Sequence, residues 1–156
     1  MLGKTQGFLL AFEHLNAGLN YAPSYDLEAV PRQGDLASSV RAHFCSYPGS
    51  GPGSWAVDLR PLDDGLEALR PVLLRWLFGE HLGLPAGHEP AIWSSKQENC
   101  VNKLLSLLKD LAGGAQVRVW NVDARPTDGG FYELVWDDLL LESGEKLLLL
   151  HLGMSD

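Results

Sequence analysis

Residues 116–152 read QVRVWNVDARPTDGGFYELVWDDLLLESGEKLLLLHL, and the alternation of apolar runs with turn formers in this stretch decides the fold class. Segment 116–122 is rich in β-branched residues and too short for a packed helix, so it reads as a strand. Segment 123–130 is dense in turn formers, and 131–136 reads as a second strand. Ser143-Gly144 is a turn signal. Segment 146–152 is apolar on both alternating faces, which suits a central strand covered on both sides. Leucine propensity favours helix there, but length and flanking turns favour strand. Residues 139–141 fit either a short helical turn or a strand extension. Short connections between such strands predict an antiparallel meander.

Working back from that meander, the spacing predicts a helix over 96–112. Ser95 and Glu98 form a capping box, Val101, Leu104, Leu105, Leu108 and Leu111 make one stripe, and Gly113-Gly114 stops it. A second helical pattern spans 64–82, with Asp64-x-x-Glu67 at its start. Pro71 either kinks this pattern or opens a second helix. Segment 35–47 reads as a helix capped by Asp35, and 55–59 as a strand. Segment 8–15 fits helix or strand, while 48–54 (PGSGPGS) and 83–90 are loops. Together these predict an α+β fold: a predominantly antiparallel sheet packed against two or three helices, with residues 1–156 as a single domain.

The net charge of −8 is unevenly placed. Asp123, Asp128, Glu133, Asp137, Asp138, Glu142, Glu145 and Asp156 face only Arg125 and Lys146 in residues 121–156, a net of −6. That segment repels a phosphate backbone, so nucleic acid is not the expected partner. A basic protein is attracted to it and steered by it. No apolar run approaches the roughly 20 residues that cross a bilayer, and no secretory leader pattern is present. The expected compartment is the cytoplasm. Scarce isoleucine beside abundant Leu, Arg and Gly hints at a GC-rich bacterial genome.

Catalytic and cofactor motifs are weak. Gly3-Lys4-Thr5 lacks the upstream glycine and strand of a phosphate-binding loop, and Gly49-x-Gly51-x-Gly53 lacks dinucleotide-site spacing. No nucleophile elbow occurs. Cys45 and Cys100 read as reduced core thiols, because disulfide-dependent domains are usually smaller and richer in cysteine. Glu80-His81 and His88-Glu89 supply metal-ligand atoms but no zinc spacing, and solvated surface is their ordinary explanation. His151, inside an apolar strand, reads as a hydrogen-bonded core histidine. Neither catalytic residues, metal ligands nor a cofactor are assigned. Adjacent carboxylates on a strand point to opposite faces, so Asp137 and Asp138 cannot share a proton.

Five tryptophans are present. Trp76, on a leucine stripe, reads as core. Trp93 and Trp136 read as exposed anchors of the kind enriched at interfaces. The expectation is therefore a non-enzymatic binding protein that neutralises a basic protein partner, of the physical type of a cytoplasmic immunity protein acting on a toxin. Its binding residues are expected to be Asp123, Asp128, Asp137, Asp138, Glu142 and Glu145, with Trp136 and Trp93. The alternatives are a small enzyme, hydrolytic or metal-dependent, assembled from distant residues such as Cys45, His81 and His88, or an adaptor that associates through an apolar face.

Overall fold

A computed structural model describes residues 2–17, 22–78, 94–113 and 116–155. The elements are α1 (Leu2–Asn16), β1 (Ala22–Ala29), α2 (Leu36–Cys45), β2 (Trp55–Leu62), a 3-10 turn (Gly65–Ala68), α3 (Leu69–Phe78), α4 (Ser94–Ala112), β3 (Arg118–Pro126), β4 (Val135–Ser143) and β5 (Lys146–Ser155). The strands form one antiparallel sheet in the order β1-β5-β4-β3-β2. The fold is α+β, and β3-β4-β5 is the meander expected from the sequence.

The central strands divide their side chains between two cores, as the two-residue period requires. In β5, Leu148, Leu150, Leu152 and Met154 join Leu9, Phe12, Leu73, Trp76, Leu104 and Leu108 from α1, α3 and α4. Leu147 and Leu149 point the other way, onto Val40 and Phe44 of α2 and Trp55 of β2. Two-sided burial explains why 146–152 is a run of leucines rather than an alternating pattern. Cys100 packs against the first core and Cys45 against the second. The sheet lies between the two free thiols, so they cannot be bridged.

Several boundaries differ from the sequence reading. β3 runs on to Pro126, through half of the expected turn, because β2 keeps pairing with it as far as Trp55↔Pro126. β4 starts only at Val135 and absorbs both Asp137-Asp138 and Leu139–Leu141. Phe131–Leu134 is a loop rather than the first part of that strand. Asp64 does not cap a helix: it lies at φ 68 with no side-chain cap bond, and a 3-10 turn precedes α3. Pro71 sits in the first turn of α3, where a missing N–H costs nothing. Asp35 does cap α2, accepting from Ser38 N at 2.7 Å. Segment 8–15 is part of helix α1. The pattern gave no warning of β1, whose sequence APSYDLEA is poor in strand formers. It forms because Tyr25 and Leu27 enter the first core while β5 supplies a paired edge.

Candidate functional site

The carboxy-terminal meander spreads the candidate residues between its two ends: Asp128 lies in the loop that joins β3 to β4, whereas Glu142 and Glu145 lie at the opposite end, beside the β4–β5 turn. From β3 the chain enters a loop that Thr127 fastens down: its N–H donates to Ser54 O at 2.8 Å and its hydroxyl to Gly53 O at 3.0 Å. The Asp128 carboxylate accepts from Gly130 N at 2.9 Å, and Gly129 takes φ 77, which turns the chain. The next residues divide between inside and outside. Phe131 is 74% exposed, with Leu134 at 48% and Val135 at 38% beside it. Tyr132 turns inward against Phe44, Trp55 and Trp136. Glu133 also turns inward, and Leu134 N donates to Met154 O at 3.1 Å.

Under this loop lies a buried polar network. Register pairs Asp138 of β4 with His151 of β5, and Asp138 Oδ1 sits 2.7 Å from His151 Nδ1. The Tyr132 hydroxyl donates to Asp138 Oδ1 at 3.3 Å. Glu133 Oε1 lies 3.8 Å from His151 Nε2. Burial pulls the imidazole pKa down, but the hydrogen bond to Asp138 and the negative charges of Asp138 and Glu133 outweigh that and push it up to about 9. Burial also pushes up the Tyr132 phenol. A Cβ on Gly153 would overlap the His151 ring, so only glycine leaves the imidazole room. A cavity of about 190 Å³ opens beside the ring, lined by Asp26, Glu28, Tyr47, Tyr132 and Glu133 among others.

An aspartate–histidine pair is also part of nucleophilic catalytic sites, where the second ring nitrogen faces a hydroxyl or thiol and is free to take its proton. Here Nε2 faces Glu133, and the ring keeps its proton at neutral pH. The geometry serves to neutralise buried carboxylates and to hold the loop. An alkaline stability profile follows. His151 has an ordinary pKa of 6.5 and a folded value of about 9. Its contribution is complete below about pH 6.5 and declines as pH rises through about 9, since the folded state binds the extra proton. Urea titrations between pH 6 and 9.5 should show that decline, and His151→Gln should flatten it.

The structure divides the sequence-predicted binding residues. Asp128 is exposed and Glu145 nearly fully so, the latter 3.4 Å from Arg32. Asp123 is partly exposed and pairs with Arg125 at 2.7 Å. Asp137 accepts from the Trp76 indole and pairs with Arg75, tying β4 to α3. Asp138 and Glu142 are buried, which corrects their expected place on the partner-facing surface. Glu142 is taken up by Arg32 and Arg118, each at 3.0 Å, and by the Trp120 indole at 3.1 Å. Trp136 is half-buried against Tyr132, and among the described residues Phe131 is the exposed aromatic. Trp93, Glu80, His81, His88 and Glu89 lie outside the described residues. Asp137 and Asp138 do point to opposite faces, one to Trp76 and the other to His151. Phe131 was missed, although Gly129-Gly130 immediately before it marks a turn that lifts the next side chain outward.

Comparison of the chain with protein-family models, with curated proteins and with solved structures finds no match.

Proposed function

We propose that this chain is a non-enzymatic binding protein that engages a basic protein partner through the loop over residues 127–135 and the acids around it. Its physical type is that of an inhibitor, such as a cytoplasmic immunity protein that neutralises a bacterial toxin or effector. The observation that carries this reading is Phe131, 74% exposed on a loop that is otherwise anchored. Holding a phenyl ring in water gains the fold nothing, whereas a fixed aromatic beside Leu134 and Val135 suits a desolvated contact. Tyr132, Glu133 and Thr127 fasten the loop, so little entropy is lost on docking. The exposed carboxylate of Asp128, on the same loop, adds attraction for a cationic surface.

The test is binding kinetics with a basic protein partner at two ionic strengths. Phe131→Ala should weaken binding about 10- to 30-fold, mainly through faster dissociation, and leave the unfolding midpoint unchanged. Asp128→Lys should mainly slow association and reduce its salt dependence. If neither substitution alters either rate constant, the loop is not the working surface.

A further inference from the structure

The two edges of the sheet are treated differently. At β1 the outward amides are occupied: Tyr25 N donates to the Glu13 carboxylate at 3.2 Å and Leu27 N to the Gln6 carboxamide at 2.9 Å. Helix α1 thus seals that edge against another strand. At β2 nothing equivalent is present among the described residues. Thr127 N donates to Ser54 O, and the register continues from Trp55↔Pro126 to Leu62↔Val119. Hydrogen-bonding direction alternates along an antiparallel strand, so even-numbered residues of β2 face β3 and odd-numbered ones face outward. Among the described residues nothing takes up the outward N–H and C=O groups of Val57 and Leu59. Pro61 falls on an outward position, where its missing N–H breaks no bond within the sheet.

Charges flank the centre of this edge. Asp58 and Arg60 lie on one face of the sheet on either side of Leu59, with side chains 66% and 72% exposed. Their mutual contact, at 3.4 Å, is a loose surface pair. An edge is commonly guarded by charged side chains, lysine above all, and a run of one sign repels a second copy. Here the signs differ, and they are self-complementary in one register.

We propose that two copies of this chain associate edge to edge through β2, antiparallel, with the two-fold axis at Leu59. In that register Leu59 exchanges both backbone hydrogen bonds with its mate, and Val57 N–H donates to the mate's Pro61 C=O. Asp58 stands directly opposite the mate's Arg60, and Arg60 opposite the mate's Asp58. These are non-hydrogen-bonded pairs, in which side chains approach most closely. Shifting the axis to residue 58 sets the two Asp58 carboxylates against each other. Shifting it to Val57 leaves both charges without a mate. Charge thus selects the Leu59 axis. The contact is short, so the dimer is weak and reversible.

Sedimentation equilibrium on the whole chain tests this, with circular dichroism to verify folding. The wild type should show a reversible monomer–dimer equilibrium that weakens as salt rises. Asp58→Arg and Arg60→Asp should each weaken it at least 10-fold, because each sets like charges opposite one another. The double variant D58R/R60D restores opposite charges and should recover dimerisation. The proposal is overturned by a wild type that stays monomeric up to roughly 1 mM, or by a dimer that both single variants leave intact. A dimer lost in the single variants but not recovered in the double also overturns it, since complementarity is then not the cause.

Discussion

Replacing Asp138 with alanine is expected to lower the unfolding free energy by about 3–5 kcal/mol, the range for removing one partner of a buried ion pair. Asp138 is fully buried, and its Oδ1 accepts from both His151 and Tyr132. Without it, the imidazolium keeps only Glu133, at 3.8 Å, and the Tyr132 hydroxyl loses its acceptor. Either the ring stays charged with poor compensation or it gives up its proton, and both outcomes cost stability. Asp138→Asn should cost less, because its carboxamide oxygen still accepts from the ring. The double variant Asp138→Leu/His151→Leu should recover only part of the loss: it removes the stranded imidazolium, but the Glu133 carboxylate and the Tyr132 hydroxyl then lose their partners. Equilibrium urea unfolding at pH 7 measures all three. A loss below about 1 kcal/mol for Asp138→Ala would mean that water reaches the pair and that the network does not fasten the loop.

The same network shows how far the sequence could be read. A histidine within an apolar strand implies a polar partner on the same face, and such a partner was expected for His151. Its identity was out of reach, because it depends on register. The sequence pattern places the first turn too early and opens the second strand at 131 rather than at Val135, which leaves Asp138 at a strand end instead of opposite His151. An even shift leaves each side chain on its own face but changes which residue of the neighbouring strand it meets. Asp138 and Glu142 look like any other acids in a linear count of charge. Only the cross-strand pairing takes them inside, where Arg32, far away in sequence, meets Glu142.

Elements with a strong internal period were legible and those lacking one were not. The stripe of α4, the cap of α2 and the two-sided leucines of β5 each carry their own signal. β1 carries almost none: apart from Tyr25 and Leu27, its residues favour turns or helix, and it is a strand because β5 offers an edge and α1 satisfies its outer amides. Tertiary context overrides propensity most easily at an edge strand, where half of the backbone partners come from elsewhere in the chain. The candidate surface behaves similarly. Summed charge pointed to the carboxy-terminal third, but Phe131 stands out only once Tyr132 and Glu133 are seen to turn inward.

Leu108 gives the second large effect, and it tests the core rather than the site. Its side chain is fully buried in the core formed by α1, α3, α4 and one face of the sheet. It belongs to the stripe of Val101, Leu104, Leu105 and Leu108, which holds α4 against that core. Leu108→Ala should cost about 2–5 kcal/mol, combining lost transfer energy with a cavity that close-packed neighbours fill only in part. The upper half of that range is expected, because α4 is held between other helices and the sheet and cannot collapse far into the gap. Leu108→Met conserves volume and should cost less than about 1.5 kcal/mol. The two variants should share the wild-type denaturant slope, so the difference in midpoint reads stability directly. A loss under about 1 kcal/mol for the alanine variant is incompatible with a fully buried leucine. That result would mean the stripe of α4 faces solvent or a partner, and the first core would then have to be built without it.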